Sequence, residues 1–466
     1  MSRACRRGVG LARSGGPEAG QAEQLVLALP AHVRVSLYVW PVGGRRSGVL
    51  VERSYVRMVF PGRKGAILAR GPEIFAEREQ VGMRASDVVI VGGGVIGCAI
   101  AYMLRTQGMT VTLLERGAVG TQASGVAAGL LAPLGPLSGP GPLADLVLTA
   151  WRAFPTLVGE LEQASGLHLA YRQSGALRVA CQPGRVRRLR KRWQQHWQSL
   201  GMQMQWLDGE QVRQLEPLLT REVQAAVFAP EEARVDAQQV TRAFAQAARV
   251  QGAHLQTFQE ACGFLTHKRR ILAVQTVQAE TVHCGQVLLA AGAWTAICCS
   301  WLDVVVPVTP LHGQLLLLPQ FSQPLQTPIF GEGIYLVPHG DALLVGASRE
   351  ERGFDLTPDA SRTAWLVETA QHLAPRSAEV RPMAIWTGLR PHTPDARPIF
   401  GFLPCWENVA VASGHQSLGV LLSGITGQIM ARLLACGQMP ALARPFSVDR
   451  FLAQPGAAPE TPEPCA

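Results

Sequence analysis

Residues 88–116 constrain the fold most strongly, because they combine a strand-like run, a glycine-rich turn, a helical segment and a second strand-like run. The turn is Gly92-x-Gly94-x-x-Gly97, and the second run, 111–114, ends at Glu115. In a dinucleotide-binding βαβ unit the three glycines permit the tight turn, close backbone approach to a pyrophosphate, and packing of the helix on the sheet. An acid about 20 residues further on accepts hydrogen bonds from the ribose. The segment therefore predicts a dinucleotide-binding unit.

Size and charge set broad limits on the class of protein. A chain of 466 residues predicts about two to three domains. Of the formal net charge of +9, +7 falls in residues 1–82, which carry 13 Lys+Arg and 6 Asp+Glu. The charge therefore gives little reason to expect a nucleic-acid partner. No apolar run reaches the length of about 18 residues that a membrane-spanning helix needs.

Cysteine usage and the chain ends indicate a cytoplasmic protein. The ten cysteines form no CxxC pair, so we expect reduced thiols and no metal site. No secretion signal is recognisable. Residues 1–82 lack a sustained period, and Met83 closely precedes the first strand, so we expect 1–82 to be unassigned or a spurious N-terminal extension. The proline-rich tail, 453–466, is predicted to be disordered.

Local patterns predict several further elements. Asp236 is typical of a helix N-cap, and Thr357 followed by proline predicts another helix start. The basic run 185–198 contains Trp193 and Trp197, which suit either a nucleic-acid surface or a solvated helix whose tryptophans pack on the protein body. We favour the second interpretation.

Two later segments favour a flavin as the cofactor. The run 121–130 is rich in small residues, so its backbone can lie against a large flat ligand. The run 414–420 opens a predicted helix from Gly419 to Cys436. A helix N-terminus there would favour the negative charge of a reduced flavin.

Together these motifs resemble the D-amino-acid oxidase-like family of FAD-dependent oxidoreductases, and within it the glycine oxidases of thiamine biosynthesis. The resemblance covers about 83–452 and also rests on the segments 235–237, 288–294, 334–338 and 386–391. It implies non-covalent FAD and an α/β fold, in which a Rossmann-type FAD-binding domain is interleaved with a mixed or antiparallel-sheet substrate domain. The implied FAD-binding domain comprises 83–140, 225–300 and 385–452, and the substrate domain 141–224 and 301–384.

The resemblance also assigns cofactor contacts, position by position. They lie at the pyrophosphate turn, the ribose, the flavin with its linker, the adenine, and the pyrimidine edge of the flavin. The implied residues are Gly92, Gly94, Val95, Ile96, Gly97, Glu115, Arg116, Ala123, Ser124, Ala128, Gly129, Leu130, Ala261, His415, Gln416, Ser417, Leu418, Gly419, Val420 and Leu421.

The implied catalytic and substrate-binding residues are Arg390 and Tyr335. An arginine fork suits a substrate carboxylate, and the tyrosine hydroxyl would orient the substrate. Three positions depart from glycine oxidases: Ser417, at the substrate site, replaces an arginine, Gly333 a polar residue, and His312 a Lys or Arg. A wider pocket would favour sarcosine, proline or a larger D-amino acid over glycine.

The implied function is oxidation of glycine or another small amino acid or amine. Hydride would pass from Cα to flavin N5, giving an imine, and O2 would be reduced to H2O2. Three alternatives stay open. They are a D-amino-acid dehydrogenase that passes electrons to a quinone, a tRNA-modifying amine oxidase, suggested by the basic run, and a flavin-binding protein without catalysis, suggested by Ser417. The expected partners are the substrate and O2, without nucleic acid, and a homo-oligomer is left open.

Overall fold

The computed structural model describes residues 23–26, 36–39, 85–319 and 324–451. Glu23–Val26 and Ser36–Val39 pair antiparallel with each other, with Glu23 opposite Val39. Apart from these two strands, the predicted extension 1–82 lies outside the described residues, as does the predicted disordered tail, 453–466.

Short strands dominate the described chain. In order, they are β1 Glu23–Val26, β2 Ser36–Val39, β3 Ser86–Val91, β4 Val111–Glu115, β5 Leu130–Leu131, β6 Arg172–Gln173, β7 Ala176–Ala180, β8 Gln205–Asp208, β9 Ala225–Ala229, β10 Ala233–Arg234, β11 His254–Thr257, β12 Ala261–His267, β13 Arg270–Thr276, β14 Thr281–Leu289, β15 Thr309–Pro319, β16 Ile329–Gly331, β17 Ile334–His339, β18 Ala342–Gly346, β19 Ala384–His392, β20 Ile399–Phe402 and β21 Val409–Ser413.

The α-helices are fewer and lie between groups of strands. They are α1 Val95–Thr106, α2 Pro142–Ser165, α3 Pro183–Arg192, α4 Gly209–Leu215, α5 Ala237–Val250, α6 Thr295–Ser300, α7 Ala360–Leu373 and α8 Gly419–Cys436.

The first large sheet contains the predicted nucleotide-binding unit. Its parallel centre has the order β11, β4, β3, β14 and β21. Strands β13 and β12 extend it antiparallel from the first half of β14, and β20 pairs antiparallel with β21. Val88, Val89 and Ile90 are fully buried, because both faces of a parallel sheet are covered. The predicted order of strand, turn, helix and strand is confirmed.

Helices α1, α2, α5 and α8 pack together as one layer. The core of this layer includes Ile100, Phe244 and Ile429. At Gly427 a Cβ atom would lie 3.1 Å from the carbonyl oxygen of Ala99, so glycine permits α8 to approach α1 closely. By length and composition α8 could cross a membrane, but 67% of it is buried inside the protein. It serves here as a core helix.

The second large sheet has the order β19, β15, β18, β17, β16, β7, β9 and β8. All neighbours are antiparallel except β16 and β7, which are parallel. Helix α7 contributes Leu366 and Leu373 to a core with Leu316, Leu336 and Val345 of the sheet. The expected combination of a Rossmann-type sheet with a mixed sheet is confirmed.

Two strands belong to a different sheet than the sequence suggested. The predicted FAD-binding segments 225–300 and 385–452 include β9 and nearly all of β19, yet both strands pair within the second sheet. The apolar pattern of a buried strand does not reveal which sheet will accept it. The domain limits themselves stay a prediction.

The two predicted helix starts had different outcomes. Asp236 caps α5 as expected, because its carboxylate accepts from the Gln239 amide at 2.9 Å. The start at Thr357 is wrong: α7 begins at Ala360. The cap is instead Asp359, whose carboxylate accepts from the Ser361 amide at 2.8 Å. An aspartate is at least as good an N-cap as threonine.

Candidate active site

A continuous cavity of about 1700 Å³ is lined by residues of both large sheets. Every residue that the sequence assigned to cofactor or substrate lines this cavity, with the exception of Gly97. The positions quoted above are thus brought together from distant parts of the chain.

The glycine-rich turn lies between β3 and α1. Gly92 has a φ of 114°, and a Cβ there would lie 2.4 Å from the carbonyl oxygen of Ala290. At Gly97 a Cβ would lie 2.0 Å from the carbonyl oxygen of Gly92. Gly97 therefore allows α1 to pack against the turn, which explains why it does not line the cavity.

Glu115 is held in place by main-chain amides at the end of β4. Its two carboxylate oxygens accept from Gly93 at 2.7 Å and from Gly117 at 2.9 Å. A carboxylate offers about four lone-pair sites, so this group can still accept a hydroxyl. The neighbouring Arg116 stacks on Trp294, with its guanidinium carbon 3.8 Å from the ring centroid. These side chains can hold the ribose end of a nucleotide.

The small-residue loop 121–130 packs tightly against the surrounding backbone. At Gly129, with a φ of 69°, a Cβ would lie 1.8 Å from the carbonyl oxygen of Val235. Ser124 Oγ accepts a hydrogen bond from the Val95 amide, at the start of α1, at 3.0 Å. The loop and the helix start therefore form one rigid wall that a long, flat ligand can contact.

The segment before α8 supplies the opposite wall. The His415 ring is buried, and its Nε2 lies 3.1 Å from Thr426 Oγ1. Burial lowers the pKa of His415 to about 3, so the ring is neutral. The imidazole therefore belongs to the core, and only the main chain of His415 is available to a ligand. Ser417 is exposed in the cavity.

Arg390 and Tyr335 approach each other across the second sheet because two glycines lie between them. At Gly313 in β15 a Cβ would lie 2.1 Å from Arg390 Nη1. At Gly346 in β18 a Cβ would lie 2.7 Å from the Tyr335 hydroxyl. Both long side chains can therefore lie flat over neighbouring strands and reach the cavity.

Arg390 is a positive group without an acidic partner among the described residues. Its Nη1 donates to the carbonyl oxygen of Ser348 at 3.1 Å, which fixes the guanidinium. Burial raises the pKa of Tyr335, and the charges of Arg390 and Arg349 oppose that rise. The net shift is upward, so the hydroxyl stays protonated at neutral pH. A fixed guanidinium beside a hydroxyl donor is suited to bind a carboxylate.

A family model described as FAD dependent oxidoreductase matches residues 87–433. The chain belongs to this FAD-dependent oxidoreductase family. It is 31% identical to a glycine oxidase of Geobacillus kaustophilus, over 79% of this chain and 98% of the relative. It is 32% identical to a bifunctional protein ThiO/ThiG of Synechocystis, over 79% of this chain and 54% of the relative.

Solved structures in the family agree with this assignment. The crystal structure of glycine oxidase from Geobacillus kaustophilus has a TM-score of 0.74 at 31% identity, covering 78% of this chain and 98% of that chain. The glycine oxidase structure from Bacillus cereus has a TM-score of 0.71 at 30% identity, covering 77% and 97%.

The cavity walls fit the FAD that the family binds. The glycine turn, the Glu115 carboxylate, the small-residue loop and the start of α8 all border this one cavity, as binding of a dinucleotide with a flat ring system requires. Glycine at positions 92 and 129 lets the segments that line the cavity pack closely, because a Cβ there would clash with the carbonyl oxygens of Ala290 and Val235. The individual cofactor contacts stay predictions.

Sequence reasoning missed several residues that shape the substrate end of this oxidoreductase. Gly313 and Gly346 make room for Arg390 and Tyr335, and Ser348 anchors Arg390. Arg349 lines the cavity beside them. The sequence did contain a signal for these positions. Strand β18 ends at Gly346, opposite Tyr335, and is followed by two small residues and then Arg349.

Proposed function

We propose that the chain is an FAD-dependent oxidase of glycine or another small amino acid. The observation that carries this proposal is the fixed Arg390 guanidinium, which lacks an acidic partner among the described side chains and lies beside the Tyr335 hydroxyl. This pair borders the cavity that also contains the glycine turn and the start of α8. The geometry therefore matches a ligand that carries a carboxylate and must be held next to a flavin.

The protein's part in the reaction is mainly to position the substrate. Arg390 binds the carboxylate through its fork, and Tyr335 donates a hydrogen bond, so that Cα and the amine face the cofactor side of the cavity. When bound, FAD supplies the chemistry by accepting the Cα hydride at N5 and passing the electrons to O2, which gives H2O2. The imine product then hydrolyses in water. The neutral, buried ring of His415 takes no part in proton transfer.

Relatives that are named for their activity support this choice. This chain aligns with 98% of the length of the Geobacillus kaustophilus glycine oxidase and with 54% of the length of the ThiO/ThiG protein. A role in thiamine biosynthesis is therefore part of the proposal. Ser417, where glycine oxidases have an arginine, makes the choice of amino acid the point that needs measurement.

The experiment is a peroxide-coupled screen of the purified holoprotein with glycine, sarcosine, D-alanine and D-proline. We expect at least one of these to reduce the flavin and to release H2O2 in air. Arg390→Met serves as the control, because it removes the guanidinium but keeps a flexible stem. A flavin that is reduced by amino acids and stays reduced in air would support the dehydrogenase alternative. A flavin that no amino acid reduces would contradict the proposal.

A further inference from the structure

Arg349 is a second guanidinium at the substrate end of the cavity. It follows directly on Ser348, whose carbonyl oxygen accepts from Arg390 Nη1 at 3.1 Å. Burial is the main cause of the raised pKa of Tyr335 and of the lowered pKa of Arg390. The charge of Arg349 opposes the first shift and adds to the second, so it acts on both active-site residues. Two arginines and a tyrosine hydroxyl therefore face the same space.

Arg349, like Arg390, has a positive charge without an acidic partner among the described residues, whereas Arg362 and Arg185 are paired. It is exposed, and within the part of the chain that the structure describes it has no ion pair or hydrogen bond. The adjacent Glu350 pairs instead with Arg362 and lies 3.3 Å from His312 Nδ1. On the opposite wall Arg185 pairs with Glu332 at 3.0 Å. Arg349 thus presents an unpaired positive charge to the cavity.

The wider cavity has the same sign of charge. Ten Lys and Arg residues line it, against four Asp and Glu residues. Two of the four acids, Glu332 and Asp395, are paired with arginines. Three of the ten cations are likewise paired with acids, and the lining keeps a net positive charge; these cations are Arg178, Arg185 and Arg362. Arg188 and Lys191 of α3 are among the lining residues. A cavity of one sign concentrates ligands of the opposite sign and speeds their entry.

A monocarboxylate does not use this arrangement fully. One carboxylate is satisfied by one arginine fork, so glycine bound to Arg390 leaves Arg349 without a partner. A ligand with a second acidic group pairs both guanidiniums. A ligand whose second group is neutral leaves the charge of Arg349 unpaired, and it should therefore bind more weakly than the diacid.

We propose that Arg349 selects substrates that carry a second acidic group, so that the substrate class is an amino or imino dicarboxylate bound between Arg390 and Arg349. This inference rests on the proposed amino-acid oxidase function and specifies its substrate. It also gives a role to the basic helix α3, whose side chains attract dianions towards the cavity.

The test uses pairs of compounds that differ by one charge at nearly constant shape. They are iminodiacetate against its monoamide, and D-aspartate against D-asparagine. The ratio of kcat/KM for acid over amide is measured on the holoenzyme by anaerobic flavin reduction. We expect the acid to be preferred by about tenfold to a hundredfold in at least one pair, with a preference that falls as salt is raised.

Three variants locate the effect. Arg349→Met should bring the acid-to-amide ratio close to one, and Arg349→Lys should restore part of it. Arg221→Met, which removes an exposed arginine that does not line the cavity, should keep the wild-type ratio.

Two results would overturn the inference alone: amino acids reduce the flavin without any preference for the acid, or Arg349→Met lowers kcat/KM equally for acid and amide. The second result would mean that Arg349 contacts the carboxylate common to both compounds. If neither monoacids nor diacids reduce the flavin, the proposed function fails and this inference fails with it.

Discussion

Replacing Arg390 by methionine removes the guanidinium but keeps a flexible, unbranched side chain. The structure gives Arg390 no acidic partner among the described residues, so the substrate carboxylate is the expected partner of its charge. Losing one member of such a charge pair costs roughly 3–5 kcal/mol, since the other charge is left unpaired. At about 1.4 kcal/mol per factor of ten, KM should rise by about two to four decades.

The cost of this substitution to folding should be much smaller. The carbonyl oxygen of Ser348 loses one donor at 3.1 Å, which is worth about 1 kcal/mol. The variant should therefore purify with bound FAD and a normal flavin spectrum. Substrate affinity would be measured by anaerobic flavin reduction over a range of substrate concentrations. Arg390→Lys is the matched control, because it keeps the charge without the fork and should lose less affinity. A KM within about threefold of wild type in Arg390→Met would mean that Arg390 does not bind the substrate carboxylate.

Four further changes test other parts of the account. Glu115→Ala removes the acceptor of two amides at 2.7 and 2.9 Å and should raise the FAD dissociation constant about tenfold to a hundredfold, measured by flavin fluorescence. Gly313→Ala places a Cβ 2.1 Å from Arg390 Nη1 and should raise KM by about tenfold or more with FAD retained. Trp197→Ala empties a buried site and should cost ~3–5 kcal/mol in urea unfolding. His415 has a pKa of about 3 in the folded protein, so as the pH falls the unfolded chain binds its proton first. The free energy of unfolding should therefore fall by ~1.4 kcal/mol per pH unit below about pH 6.5. His415→Gln should flatten this pH dependence.

The nucleotide-binding half of the site was predictable because its signals are local. The glycines, the helix start and Glu115 lie within one short segment, and at Gly92 and Gly97 a Cβ would clash with a main-chain oxygen. The last helix, Gly419 to Cys436, was also predicted with its observed limits. Where the backbone must approach a ligand or another strand closely, the sequence has glycine, and glycine is visible in the sequence itself.

The basic run 185–198 was predictable in part. The two tryptophans pack as expected, with Trp197 buried and donating to the carbonyl oxygen of Leu137 at 3.0 Å, and Trp193 stacked on Trp206 at 5.4 Å. Their packing was predictable from their spacing of four. That the basic side chains of α3 line the substrate cavity was not, because it depends on how distant elements meet.

The substrate half was less predictable for the same reason. Arg390 and Tyr335 were identified through a resemblance. The glycines beneath them lie on strands β15 and β18, and Arg349 follows β18; the sequence does not place these strands next to each other. Strand pairing over long separations depends on the whole fold. That β9 and β19 pair within the second sheet was not predictable for the same reason.

The most direct measurement for the central claim follows the flavin absorbance of the purified holoprotein. Amino acids are added without O2, and air is admitted afterwards. We expect a small amino acid or amino dicarboxylate to bleach the flavin, and Arg390→Met to slow this bleaching at low substrate concentration. Air should restore the colour and release one H2O2 per reduced flavin. Flavin that stays oxidised with every amino acid and diacid tested would contradict the account.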